Sequence, residues 1–590
     1  MGAPSLDAVA VAVGLSVLSL LYLGRTRKNV SAPLPPGPKR LPIIGNMLDM
    51  PKGNEWFTYE KWGKEFGSDI VHVDVLGTDL IIVNSAKAAN ELFEKRSSLY
   101  SDRPKLMALN AILKLDWVLC FIPYGPRWRA IRKAFHGHFH PTATLQYQPM
   151  ELKASHELLR RLLDKPEEFV EHLRHMAGEI IMGIAYGIEV KPHDDPYIEI
   201  AEKTLQGIAL ASGPEGGLYD MAPALLKMPD WFPGSGHKKE LKKWIHWGIS
   251  MVETPYRTAK EAVMKGSAVP SVTSSMISQV ENQLASEIMA KEVPANMYLA
   301  GADTTVSALT SFFLAMSLYP EAMKKAQAEI DTVIGGDRLP DFSDEQSLPY
   351  VSALVKEVLR WRPVVPLAIP HRLVSDDIYE GYFIPGGSIV IGNGWAMLHD
   401  ESIFPDAGSF KPEHFLDPSV KFPEIAFGFG RRICPGRFMA RASVWIAIAS
   451  VLAVFDISKA VDENGKEIEP VDEYTSGIVV YPIPFKCKIT PRSNAAEDLM
   501  PSISYPTVLT AREREREAPA LPTSIEPTAC TLPAISDLSI QAVAPRAVAA
   551  SLNFASHQID PQTPSVPREV TITESPRLRR ARASGPAEAS

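Results

Sequence analysis

Six residues of one decapeptide, Phe427, Gly428, Gly430, Arg432, Cys434 and Gly436 in FGFGRRICPG, set a single thiol where backbone N–H groups can turn toward it. A metal-ligating thiolate needs such donors and no bulky neighbours, and glycine permits both. Pro435 removes a competing donor and leads into a helix. A lone cysteine is more often a buried structural residue. This combination, however, would arise by chance on the order of once in 10^8 windows, which points to a metal thiolate. A second stretch, AGADTT (Ala300 to Thr305), pairs an acid with an alcohol on a helix of small residues. Ala300 and Gly301 leave room beside the helix, and Thr304 can bond back to the carbonyl one turn earlier and open space for water. Alone, such a hexapeptide reads more readily as close helix packing. Trp128 and Arg132 share a helix face at i, i+4, and Glu357 and Arg360 do so at i, i+3. An isolated pair of the latter kind is usually a solvated ion pair.

The decapeptide resembles the haem-binding loop of the cytochrome P450 superfamily, and the resemblance extends over roughly Pro33 to Arg492, in the style of microsomal, fungal-type enzymes of secondary and xenobiotic metabolism. It implies a mainly α fold with a small β region, enclosing haem b between the helix carrying AGADTT and the Cys434 loop. Cys434 would be the iron ligand, with Phe427, Gly428, Gly430, Arg432 and Gly436 shaping the cofactor loop. Trp128 and Arg132 would contact a propionate, and His371 stands where another propionate ligand often sits. Asp303 and Thr304 would form a proton relay. Glu357 and Arg360 would be a buried pair locked by a third residue from a Pro-Glu-Arg-Phe segment. This chain departs there: Pro412-Glu413-His414-Phe415 carries His414, whose charge titrates near neutrality. Val364 to Pro370 and Ser476 to Val479 occupy the positions of substrate-facing strands, so Trp117, Phe121, Val364, Val365, Leu367, Ile369 and Ile478 are expected around an apolar, ring-containing substrate such as a terpenoid, a polyketide or an aromatic xenobiotic. The implied activity is O2-dependent monooxygenation with electrons from NADPH–cytochrome P450 reductase and cytochrome b5 as a second donor. A separate reductase is needed because no G-x-G-x-x-G follows a strand here. Two alternatives stay open: a haem-thiolate isomerase or dehydratase that does not use O2, and a non-enzymatic haem sensor.

These residues need a large scaffold, and 590 residues with 45% apolar content can bury one. A formal charge of -8 leaves no general nucleic-acid footprint. Cys120, Cys434, Cys487 and Cys530 lie far apart, suggesting neither a disulfide framework nor a zinc site. Residues 1–28 contain an uncharged run, Ala8 to Gly24, followed by Arg25, Arg27 and Lys28. That charge order favours an uncleaved transmembrane anchor that leaves the rest of the chain on the cytosolic side of the endoplasmic reticulum membrane. Asn29, in a formal glycosylation sequon, would then face away from the lumen and stay unused. Residues 29–46 form a Pro-rich hinge, and 47–492 the catalytic domain. A helix is expected over Trp56 to Gly67, a hairpin over Ile70 to Val83, a helix from about Arg127, an apolar loop over Gly216 to Gly234, and the longest helix over Pro294 to Tyr319. Arg127, Arg129, Lys133, Arg437 and Arg441 would form a basic docking face. Residues 493–590 hold 12 prolines and only two aromatics, Tyr505 and Phe554, and so read as a disordered tail that cannot bury a core.

Overall fold

The computed structural model describes residues 32–221, 223–231 and 235–500. The expected anchor (1–28), Phe232 and the tail from residue 501 lie outside the described residues.

Period-two patterning builds the first sheet. In β1 (Ile70–Val75) and β2 (Thr78–Val83), Val71, Val73, Val75, Leu80 and Ile82 cluster with Tyr59 and Trp62 of α1 (Glu55–Phe66). Ile70, Ile81 and Val83 point the other way, toward Phe93 and Tyr100, because successive strand side chains alternate. β1 and β2 pair antiparallel, with Ile70 opposite Val83. A later segment supplies β3 (His371–Arg372), the hairpin β4 (Asp377–Tyr379) and β5 (Tyr382–Ile384), and β6 (Ile389–Gly392). β6 joins β2 in parallel and β3 antiparallel, giving the order β1-β2-β6-β3. β7 (Phe455–Lys459) and β8 (Cys487–Pro491) form a third, two-stranded sheet.

The rest is mainly helical. Pro126 opens α2 (Pro126–Phe139), where its missing N–H costs nothing. α3 (Gln148–Asp164) and α4 (Phe169–Tyr186) lead to α5 (Pro196–Ser212) and α6 (Pro214–Met221). α7 (Glu287–Gly301) and α8 (Thr304–Leu318) form one bent helical stretch; α9 (Pro349–Trp361), α10 (Arg437–Val454) and α11 (Asn494–Asp498) follow. A helix apolar on all sides must be buried. The stretch Glu287–Leu318 and α10 are each long and apolar enough to cross a membrane, but most of their surface is buried inside the fold, as in core helices. One large apolar cluster draws on α2 to α5, α7 to α10, β7 and β8.

Several boundaries differ from expectation. The long helix starts at Glu287, not Pro294, because the Ser286 hydroxyl accepts from Met289 N–H and caps it earlier; Pro294 lies inside the helix. The apolar segment from Gly216 is not a continuous loop: α6 runs to Met221, and Pro223–Lys227 forms a 3-10 turn. Val364 to Pro370 and Ser476 to Val479 are bends and turns rather than strands. Order also continues past Arg492. Ser493 caps α11, and Ala496 and Met500 are buried, so the fold extends at least to Met500.

Candidate active site

The Cys434 loop is held by its own backbone. Gly428 and Gly430 have positive φ (87° and 53°), and a Cβ on Gly430 would lie 2.1 Å from Phe93 O, so only glycine fits there. Cys434 N–H donates to Phe427 O at 2.8 Å. The Gly436 N–H points at the thiol. Burial pushes the Cys434 thiol up, while that N–H and the charges of Arg132 and Arg437 favour its thiolate.

Cys434 lines a mostly apolar cavity with about 1740 Å³ of empty space, solvent at its mouth included, whose wall also contains Ala300, Asp303 and Thr304. The Thr304 hydroxyl donates to Ala300 O at 2.8 Å, the back-bond expected from its position. The helix breaks beside it, between Gly301 and Thr304, with Asp303 at φ -138°, ψ -28°. Burial raises Asp303 above the usual carboxylate range, and a hydrogen bond from the Tyr481 hydroxyl and the charge of Arg174 oppose the rise. Gly301 corrects the sequence reading. A Cβ there would meet Ile181 of α4 at 2.9 Å, so its small size serves helix packing, whereas Ala300 lines the cavity.

The cavity also holds a concentration of positive groups. Arg432 is buried, donates to Ser101 O (2.8 Å) and Ile122 O (2.9 Å), and lies 4.5 Å from the Trp128 ring centroid. Arg103, equally buried, donates to the carbonyls of Cys120, Ile369 and Pro370. Arg132 and His371 share the same lining, with His371 Nδ1 bonded to Tyr100 O at 2.6 Å. Burial pulls Arg103 down to about 9, with Arg432 adding to the effect, and pulls Arg432 down to about 10. Burial, helped by Arg103, drives His371 well below its ordinary value. Arg103, Arg132 and Arg432 make no ion pair with a carboxylate among the described residues. Asp102, whose charge acts on Arg103 and Arg432, forms its ion pair with Arg372 instead. Buried or half-buried guanidinium groups without a paired carboxylate call for an anion. An iron porphyrin fits on both counts, with a thiol for the metal and cations for two carboxylates.

The Glu357–Arg360 pair is fully buried and bidentate, Nε to Oε2 and Nη2 to Oε1 both at 2.7 Å. His414 completes it: Nδ1 lies 3.2 Å from Glu357 Oε1, and Nε2 lies 2.9 Å from Pro405 O. Burial alone would lower His414, but Glu357 and the Pro405 carbonyl outweigh it and the net shift is upward.

Phe121, Val364, Val365, Ile369 and Ile478 line the cavity as expected. Trp117 and Leu367 do not: Trp117 packs in the main core, and Leu367 packs between the first sheet and Trp56. The basic residues are largely engaged. Arg127 pairs with Glu292 and Asp116, while Arg437 and Arg441 pair with Glu424; Arg129 and Lys133 are exposed. Arg103, Asn296 and Tyr481 escaped the sequence reading. Arg103 sits in a loop without a period, beside Asp102 and Lys105, and nothing local in the sequence marks it as buried.

A family model described as Cytochrome P450 matches residues 35–489. The cytochrome P450 monooxygenase ple1 of Rhodocybe pseudopiperita is 42% identical over 495 residues, covering 82% of this chain and 94% of its own. Cytochrome P450 monooxygenase 98 of Postia placenta is 43% identical over 495 residues (82% and 95%). The tryptamine 4-monooxygenase of Psilocybe cyanescens is 38% identical over 512 residues (84% and 100%). The chain therefore belongs to the cytochrome P450 family and is an oxidoreductase of the monooxygenase kind.

Proposed function

We propose that the protein binds haem b through Cys434 and inserts one oxygen atom of O2 into an apolar, ring-containing small molecule, using electrons that NADPH–cytochrome P450 reductase delivers and cytochrome b5 supplements. The observation that carries this is the shared cavity: Cys434, carboxylate-free buried arginines and the Asp303–Thr304 helix break all line it. When bound, the haem supplies O2 activation, the second oxygen atom leaving as water. Cys434 holds the iron, with the Gly436 N–H steadying the sulfur charge. Arg103, Arg132, Arg432 and His371 would hold the propionates, their cationic and N–H groups facing the cavity that the haem would fill. Thr304, whose O–H is committed to Ala300, accepts a hydrogen bond from a cavity water, and Asp303 passes protons to that water. Tyr481 fixes the Asp303 carboxyl group.

Apolar walls with few polar anchors support an apolar substrate, and one relative is named for tryptamine, a ring-containing molecule. Trp231, 78% exposed, supports a second membrane contact beside the anchor expected at residues 1–28 in the endoplasmic reticulum membrane.

The decisive experiment assays product with and without NADPH, reductase and O2, beside the carbon monoxide spectrum of the reduced protein. Wild type should need all three and show a thiolate-type band, and Cys434→Ser should lose both the band and turnover. Product formation without O2 would favour the isomerase or dehydratase reading. A thiolate band persisting in Cys434→Ser would remove Cys434 as ligand.

A further inference from the structure

Asn296 lies on α7 one turn before Ala300, is only 4% exposed and lines the cavity. Its Oδ1 accepts from Leu119 N–H at 2.5 Å, and its Nδ2 donates to Trp117 O at 3.0 Å and to Glu292 O, on its own helix, at 2.8 Å. Turning the amide over would set oxygen against two carbonyls and N–H against N–H, so the partners dictate its orientation. One side chain thus grips the strap on both sides of Val118, as a neighbouring strand would. Glu292 extends the tie outward through Arg127 at 2.6 Å. The gripped strap supplies Val118, Leu119, Cys120 and Phe121 to the cavity wall. Only a group with a donor and an acceptor at amide spacing can hold both contacts: aspartate keeps the acceptor alone, and leucine keeps neither.

We propose that Asn296 is a positioning residue that sets the register of the cavity roof and thereby selects substrates by shape. The inference rests on the monooxygenase reading in so far as the roof faces the substrate. The test uses full-length holoenzyme, wild type against Asn296→Leu and Asn296→Asp, the isosteric change that retains the Leu119 contact. Hydrogen exchange is followed across Trp117 to Phe121. Spectral titrations compare 4-phenylimidazole, whose ring extends away from the haem, with imidazole, which is too small to reach the roof.

In Asn296→Leu the strap should exchange faster, and 4-phenylimidazole should bind about tenfold more weakly, as when the strap holds its register only about a tenth of the time, while imidazole affinity stays unchanged. Asn296→Asp should fall between Asn296→Leu and wild type. Wild-type exchange and affinities in both variants would overturn the proposal, as would an equal loss for both ligands, which marks general collapse. If the wild-type chain takes up no haem, the functional reading falls, but the exchange comparison still decides the role of Asn296.

Discussion

Proton delivery is the point at which Thr304 and Asp303 can be told apart. The Thr304 hydroxyl hydrogen is bound to Ala300 O, which leaves its oxygen as an acceptor for water in the cavity, whereas Asp303 is a titratable carboxyl group, raised by burial and tied to Tyr481. Asp303→Asn should therefore slow turnover by roughly 10^2-fold, the low end of what one positioned acid contributes, while the product formed per NADPH consumed changes little. Thr304→Ala should keep consuming NADPH while releasing hydrogen peroxide. The measurements are the turnover rate and the ratio of product to NADPH oxidised, with hydrogen peroxide assayed in the same tube; a wild-type rate in Asp303→Asn together with wild-type coupling in Thr304→Ala would remove the pair from the proton path. The sequence made Thr304 readable because its back-bond is local, one turn along its own helix. It misassigned Gly301 because a missing side chain does not say which neighbour needs the space, and that neighbour, Ile181, lies 120 positions away. Arg103 and Tyr481 stayed hidden for the same reason: their partners are backbone and carboxyl groups brought up by distant segments.

Between elements, the contact of α3 with α10 carries a titratable weakness. Glu151 is fully buried; Oε1 accepts from the Ser443 hydroxyl at 2.6 Å and Oε2 has no hydrogen-bond partner among the described residues. Burial pushes it from 4.5 up to about 7, the Ser443 bond only partly opposing. A carboxyl group raised on folding binds its proton more tightly in the native state, so stability is highest below 4.5 and falls as pH climbs through about 7. Glu151→Gln, which keeps the Ser443 bond, should gain up to about 3 kcal/mol at pH 8 and little at pH 5. Thermal unfolding at the two pH values checks it, and an equal gain at both would contradict a buried charge. His414 runs in the same direction for a different reason. A histidine raised by Glu357 adds stability that is present below its ordinary 6.5 and lost as pH rises through its higher folded value. His414→Arg should make that part of the pH dependence flat. Element types were legible wherever the period was strong, as in α1, β1, β2 and α2. The turns at Val364 and Ser476, residues of which line the cavity, were not, because a short apolar run looks alike in a strand and in a buried turn.

At the scale of the whole chain, the question is where the folded body stops. Composition put the boundary at Arg492, because the residues beyond it are poor in aromatics and rich in proline. The fold nevertheless continues through a short capped helix: the Ser493 hydroxyl accepts from Ala496 N–H, and Arg492 pairs with Asp331 and donates to Ala453 O. Two buried residues were invisible to a composition count because α11 has only five residues, too few to show a period. Burying one side chain the size of methionine contributes roughly 1.5–3 kcal/mol, so Ala496 and Met500 together matter to a domain of ordinary stability. A chain ended after Met500 should take up haem and turn over as the full chain does, since the residues removed hold too little apolar surface to form a core of their own. A chain ended after Arg492 should unfold at a lower temperature with its carbon monoxide spectrum intact. Loss of haem uptake in the Met500 truncation would show that residues 501–590 support the fold, and identical unfolding temperatures for the two truncations would show that α11 contributes nothing to the core.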